Sequence, residues 1–187
     1  MALLIIIGGP NGSGKTTLTS YLTKKGRIRS EVINPDAIAI NELGGYAFHL
    51  GAAKLALTRR KEAIHQNMDI AFETTFSGNS EINDIISAKS AGYKVILYYV
   101  TLQSQLDNII RVEQRTTNAG HNVNIKDISR RYIKSGSNLE KYLNLFDIAY
   151  LFDNSDLERL RVAIFNNGKL SWVNKKHKNH PFYKNLL

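Results

Sequence analysis

The chain has 187 residues, a net charge of +9, 43% apolar and 22% charged residues, and no cysteine. Those proportions suit one soluble globular domain with a real core, and the missing cysteines exclude disulfide scaffolds and thiolate zinc centres. The positive balance favours anionic partners such as nucleotides, phosphorylated sugars, nucleic acid or an acidic protein, without choosing among them.

The first residues, MALLIIIGGP, carry an apolar run over 3–7 with no basic flank and no cleavage site. It is too short to span a bilayer, so it predicts a buried parallel strand in a cytoplasmic protein without a membrane partner. A helix is expected from Lys15 to about Lys24, stopped at Gly26, then a short strand over 30–36 (SEVINPD). Residues 46–67 have helical spacing at Ala53, Leu57 and Ile64, with Arg60 interrupting the stripe. Next come a strand over 68–73, a helix over 80–91, a strand over 94–100 and a helix over 103–117. A loop over 118–124, a helix over 126–146, a strand over 148–153 and a hairpin over 161–173 turning at Asn167-Gly168 complete the order. This alternation predicts an α/β fold, a mainly parallel sheet with helices on both faces and an antiparallel hairpin at one edge. Ligands of such sheets bind beyond the carboxyl ends of the strands. That rule gathers segments 8–16, 34–38, 73–78 and 101–104.

The strongest chemical signal is GPNGSGKT, residues 9–16, which matches G-x-x-x-x-G-K-[ST] between a strand and a helix. Gly9, Gly12 and Gly14 free the backbone N–H groups to wrap phosphate oxygens, with Pro10, Asn11 and Ser13 completing the loop, and the helix N-terminus adds its dipole. Lys15 is expected on the β- and γ-phosphates and the Thr16 hydroxyl on Mg²⁺. Thr17 is either a further nucleotide contact or a residue that starts the helix.

This loop implies ATP or GTP binding but not the reaction. The N/T-K-x-D guanine reader is lacking, since NKKH at 174–177 has no aspartate, and the L-S-G-G-Q transporter signature is absent. Motor ATPases pair an apolar strand with Asp-Glu, whereas IAFETTFSG (70–78) ends its strand on Glu73 alone, followed by Thr74, Thr75 and Ser77. A small kinase remains, with Glu73 and Thr75 reading as an acceptor clamp. Asp36, closing NPD (34–36), is either the base for an acceptor hydroxyl or a turn or cap residue. Residues 111–134 hold six Lys/Arg and two acids around a glycine-containing loop; they suit either a lid that brings cations over phosphates or a solvated basic helix face. His121 reads as structural, and His49 and His65 are too far apart on their helix for a metal site. The tail NKKHKNHPFYKNLL has four lysines and no acid and is expected to be a solvated, partly ordered end. Within it, HPFYK (180–184) is the stretch that hints at the interleaved aromatic and basic residues of strand binding.

Taken together, GPNGSGKTT, NPDAI, ETTFSG and the R…AGH.V….I.RRY segment, in this order over roughly residues 3–165, resemble the short branch of the zeta toxin family. The resemblance implies a single P-loop kinase domain over 1–173, with a lid at about 111–134 and a basic tail over 174–187. It implies ATP and Mg²⁺ as cofactors, a UDP-amino sugar such as UDP-N-acetylglucosamine as acceptor of the γ-phosphate, and a small antitoxin as partner. It also implies Asp36 as catalytic base, Glu73 and Thr75 as acceptor-binding residues, and Arg115 with Arg130 and Arg131 as lid arginines acting alongside Lys15. Thr74 stands where the family pattern E-G-T-x-R has glycine, and Ser77 where it has arginine. A kinase of another acceptor (a nucleic-acid end or a small metabolite), and an ATP-dependent switch that phosphorylates no small molecule, remain open on the residues alone.

Overall fold

The computed structural model describes residues 1–119 and 124–187, with the side chains of 1–114 and 124–187. In chain order the elements are β1 (Leu3–Gly8), α1 (Lys15–Lys24), β2 (Val32–Ile33), α2 (Pro35–Asn41), α3 (His49–His65), β3 (Ile70–Thr74), α4 (Ser80–Ser90), β4 (Lys94–Thr101), α5 (Gln105–Ala119), α6 (Ile125–Tyr142), β5 (Ile148–Asp153), β6 (Leu160–Asn166) and β7 (Lys169–Val173). The strands form one sheet in the order β2-β3-β1-β4-β5-β6-β7. The first five in that order run parallel, and β6 and β7 are antiparallel. The hairpin turns where expected, with Asn167 at φ 49° and Gly168 at φ 74°, the positive φ pair that a two-residue turn demands.

The apolar run of β1 is continuous because both of its faces are covered. Leu4 and Ile6 join Phe72, Leu97, Tyr99 and Leu151 under α4 and α6. Ile5 and Ile7 point the other way, to Leu18 and Leu22 of α1. No helix among the described residues is long and apolar enough to cross a membrane.

Three expectations are corrected. The second strand is only Val32–Ile33, because Pro35 starts a helix rather than ending a strand. Asn34 caps it, its Oδ1 accepting from Asp36 N at 2.9 Å and Ala37 N at 3.4 Å, and proline suits the first helical position. Second, the buried stripe of α3 is Ala52, Ala56 and Arg60, while Ala53 is exposed. The small alanines let α3 lie close on Ile38 and Ala39 of α2. Arg60 interrupts the apolar pattern because it is buried against Asp84 (Nε to Oδ2, 2.7 Å) with its guanidinium 4.9 Å from the centre of the Phe72 ring.

Third, the C-terminal segment packs instead of being solvated. Tyr183 is fully buried and its hydroxyl donates to Phe152 O at 2.8 Å. Phe182 lies edge-on to Tyr132 of α6, and His180 is buried. The four lysines of the segment stay exposed. The aromatic rings of HPFYK therefore face the core and are not available to a nucleic-acid strand.

Candidate functional site

The turn from β1 into α1 is held by contacts that no side chain at Gly9 could permit. Gly9 sits at φ 145°, and a Cβ there would run into the Val100 carbonyl of β4, so only glycine brings the loop this close to the sheet. Gly12 and Gly14 also adopt positive φ. Neighbouring side chains take up the loop's outward carbonyls. Asn108 Nδ2 of α5 donates to Asn11 O at 2.6 Å, and Asn154 Nδ2, just past β5, donates to Ser13 O at 3.0 Å. Lys15 Nζ donates to Gly9 O (2.9 Å) and Pro10 O (3.0 Å). The first turn of α1 has no side-chain cap, which leaves its amides for an anion. Asn11 Oδ1 and Ser13 Oγ are buried with no hydrogen-bond partner among the described residues, as polar atoms of a ligand cradle would be.

Glu73, at the end of β3 and opposite Ile7 of β1 in register, is buried. Its Oε2 accepts from Thr16 Oγ1 at 3.1 Å and its Oε1 from Thr19 Oγ1 at 2.7 Å. The carboxylate expected to clamp an acceptor thus lies on the P-loop helix. Thr16 and Glu73 form an oxygen-only pair, the donor chemistry of a hard cation that takes few protein ligands and keeps water and phosphate oxygens. The two residues therefore fit Mg²⁺. Among the described residues no group of three or more His, Asp or Glu could hold a metal by itself.

The rest of the β3–α4 loop is pinned from two sides. Thr74 Oγ1 accepts from Phe76 N and donates to Glu81 Oε1, both at 2.9 Å. Glu81 Oε1 also accepts from Gly78 N at 3.0 Å. The threonine that departs from the family pattern is thus a staple between the loop and α4. From the other side, Ser135 Oγ of α6 donates to Thr75 O at 2.6 Å, and Asn138 Nδ2 donates to Phe76 O at 3.1 Å. Phe76 is fully buried at φ 57°, a conformation that a bulky residue holds only when its surroundings enforce it. Thr75 Oγ1 and Ser77 Oγ share a hydrogen bond of 2.8 Å at the half-buried lip of the loop.

Asp36 lies in the first turn of α2, three residues beyond Ile33, which pairs in register with Phe72 beside Glu73. Its carboxylate is exposed and has no hydrogen-bond partner among the described residues. On α6 the adjacent arginines part company. Arg131 is half-buried on the same face as buried Ile128, Ser135 and Asn138, at the three- and four-residue spacing of one helix side. Arg130 is exposed and donates to Asp127 Oδ1 at 3.0 Å. Arg115 belongs to α5 by its backbone; its side chain and His121 lie outside the described residues. Thr17 is exposed.

Sequence reasoning missed Thr19, Asn108, Ser135, Asn138 and Asn154. Thr19 is one turn beyond Thr16, and Asn154 follows a predicted strand at its carboxyl end, so both were open to discovery. The others announce nothing locally.

Asp153, the last residue of β5, anchors Asn154 behind the P-loop. It is buried, accepts from Ser155 Oγ at 2.6 Å and Gln103 Nε2 at 3.0 Å, and lies 3.3 Å from His180 Nε2 and 4.0 Å from His177 Nδ1. Burial alone would raise its pKa, but the His180 ring 3.3 Å away and the hydrogen bonds from Ser155 and Gln103 outweigh it and hold the carboxyl well below the usual range. A depressed folded pKa contributes stability that is complete above the unfolded value near 3.8 and is lost as pH falls through the folded one. Asp153→Asn is therefore expected to be less stable than wild type at pH 7, with the difference in urea midpoint narrowing as the pH is lowered from about 5 to about 2. A constant difference would remove the ionised carboxylate from this role.

The family model for Zeta toxin matches residues 2–178. A Haemophilus influenzae protein described only as uncharacterized is 33% identical over 126 residues, covering 66% of this chain and 88% of that protein. Among solved structures, the AvrRxo1-ORF1:-ORF2 complex with ATP aligns with a TM-score of 0.69 at 20% identity, over 97% of this chain and 64% of that one. The chain thus spans just under two thirds of the AvrRxo1 chain it matches. A structure from the PezAT chromosomal toxin-antitoxin system of Streptococcus pneumoniae aligns with a TM-score of 0.58 at 19% identity, over 85% of this chain and 72% of that one. At these identities the two structures speak for the fold alone.

Proposed function

The chain belongs to the zeta toxin family, and from that premise we propose that it is an ATP-dependent kinase that phosphorylates a hydroxyl of a small molecule, with a UDP-amino sugar such as UDP-N-acetylglucosamine as the acceptor. The observation that carries the reading is the bonding of Glu73 to Thr16 and Thr19, which ties the β3 carboxylate to the phosphate loop beside the Thr75–Ser77 lip. The AvrRxo1 complex with ATP supports the choice of nucleotide. The PezAT system supports a small antitoxin as partner.

In this reading residues 9–16, with Thr17 beside them, receive the ATP phosphates. Lys15 leaves the Gly9 and Pro10 carbonyls to meet the β- and γ-phosphates. Mg²⁺, when bound, would be held by Thr16 with Glu73 behind it and would neutralise developing phosphate charge. Glu73 thereby moves from the acceptor side, where its sequence motif suggested it, to the nucleotide side, because both of its oxygens are engaged by hydroxyls of α1. Thr75, with its hydroxyl at the half-buried lip beside Ser77, is left to orient the acceptor. Asp36 takes the proton from the acceptor hydroxyl as that oxygen bonds to the γ-phosphorus, and the bond to the β-phosphate oxygen breaks to release ADP. Arg131 and Arg115 supply positive charge from the lid, whose two helices span about 111–134, and the basic segment 174–187 closes the domain over β5.

The two lid arginines separate by experiment. Arg131→Ala is expected to lower kcat by about 100-fold or more, the loss of one transition-state charge contact. Arg130→Ala is expected to stay within about threefold, since an exposed i,i+3 ion pair contributes little. Equal losses in both variants would discard the assignment. The function itself is tested by mass spectrometry of a sugar-nucleotide panel incubated with Mg²⁺–ATP. A gain of one phosphate on the UDP-amino sugars is the expected result. Consumption of a different acceptor would overturn the substrate, and ATP hydrolysis without any phosphorylated product would overturn the kinase.

A further inference from the structure

Parallel strands normally have both faces covered, yet β5 does not. Its residues alternate between fully buried Ala149, Leu151 and Asp153 and partly exposed Ile148, Tyr150 and Phe152. The exposed set lies on the face whose core cluster contains only α1 among the helices of the described residues. Beyond α1 the sheet is open. In register, a row of side chains runs across four strands there: Tyr98, Tyr150, Ile164 and Trp172. Neighbouring strands are about 4.8 Å apart. Tyr98 and Tyr150 stack with ring centres 5.0 Å apart, and Trp172 is 45% exposed.

Cations are set among these rings. The Arg161 guanidinium lies 5.9 Å from the ring centres of both Tyr150 and Trp172. Arg159 lies 5.0 Å from Tyr21 and 5.9 Å from Phe152. Lys25, Arg27 and Arg29, at the end of α1 and just after it, line a groove of about 510 Å³ along the same face. None of these five is ion-paired to a carboxylate among the described residues. Among the described residues no acid lines this groove; Asp69 lines the adjoining cavity that Arg27 and Arg29 also border, and its Oδ1 accepts from Leu3 N at 2.8 Å.

We propose that this open sheet face binds single-stranded nucleic acid, with bases laid on the Tyr150–Trp172 row and phosphates on Arg159, Arg161 and the Lys25–Arg29 edge. Aromatic rings on a sheet surface with cations along the backbone path are the recurrent solution for an unpaired strand. A second copy of the chain would bring the same cations face to face. Tyr, Trp and Arg also anchor protein interfaces, so an acidic protein surface is an outcome of the test below, whereas five cations with no paired carboxylate among the described residues match the regular negative charge of a phosphate backbone. The site lies on a sheet face flanking α1, separate from the P-loop, and does not depend on the kinase assignment.

The test uses a fluorescein-labelled 12-nucleotide RNA of mixed sequence, read by anisotropy with Mg²⁺–ATP present to occupy the P-loop. In parallel, the unlabelled RNA is titrated against the fluorescence of Trp172, the single tryptophan of the chain. Expected are binding at 50 mM salt with quenching of Trp172, and weakening by roughly 50-fold at 200 mM salt if about four phosphates are contacted. Arg159→Glu/Arg161→Glu and, separately, Lys25→Glu/Arg27→Glu should each lower affinity at least tenfold with unchanged circular dichroism. Trp172→Ala should lower it about fivefold or more through one lost stacked base. Three results would overturn the proposal: no binding at 50 mM salt, binding that survives both charge reversals, or equal displacement and quenching by polyglutamate, which would mark an acidic protein surface as the occupant.

Discussion

Asp36→Asn is expected to reduce phosphoryl transfer by about 10²- to 10⁴-fold while leaving ATP affinity within about twofold. The exchange keeps the size and shape of the side chain and removes only its ability to take a proton. The carboxylate is exposed and has no hydrogen-bond partner among the described residues, so no protein contact is broken. The backbone N–H of residue 36 still reaches Asn34 Oδ1, so the helix start persists. Loss of a negative charge in the first turn of α2 should cost up to about 1 kcal/mol, well short of unfolding. The check is paired: product formation by mass spectrometry and nucleotide binding by calorimetry on the same preparation. Retained transfer would take the base role from Asp36. Loss of ATP binding would place it in the nucleotide site instead.

The second large effect is on stability. Asp84→Ala leaves the Arg60 guanidinium buried among Phe72 and α4 without its carboxylate; the two side chains are 8% and 4% exposed. Breaking one side of a buried pair costs about 3–5 kcal/mol, a large part of the 5–15 kcal/mol that holds a domain together. The double variant Arg60→Met/Asp84→Leu removes both charges and is expected to recover most of that loss. Urea denaturation of the two single variants and the double variant measures the coupling directly. Additive losses would mean that the pair is not a unit. Because α3 supports α2 through Ala52 and Ala56, the single variant should also loosen the helix that carries Asp36, so its activity should fall before its global midpoint is reached.

The order of strands and helices was legible because periodicity and punctuation are local. Errors arose where two local signals met. NPD reads as the end of a strand, but Asn34 and Pro35 together make a better helix start than a strand end, and β2 shrank to two residues. On α3 the buried stripe runs through Ala52, Ala56 and Arg60 and leaves Ala53 exposed, since Arg60, which breaks the apolar pattern in sequence, is buried against Asp84. The tail was judged by its lysines, which do face water, and not by Tyr183, which fills the core.

By itself the sequence determined the phosphate loop, because a chain path at φ 145° against the Val100 carbonyl admits glycine alone, and it determined the β/α alternation that puts this loop at the carboxyl edge of a parallel sheet. Only the tertiary structure decided what meets there. Glu73 reaches Thr16 across a separation of 57 residues, and no local pattern encodes that pairing. Arg130 and Arg131 are neighbours of equal charge, and a rotation of about 100° per residue turns one toward Ser135 and Asn138 and the other toward Asp127 and solvent. The same long-range packing left one face of β5 uncovered and gathered aromatic rings and cations from α1, β4, β5, β6 and β7 onto it. Local sterics fix the path of a chain segment, whereas the company a side chain keeps depends on elements that are distant in sequence and joined only when the sheet forms.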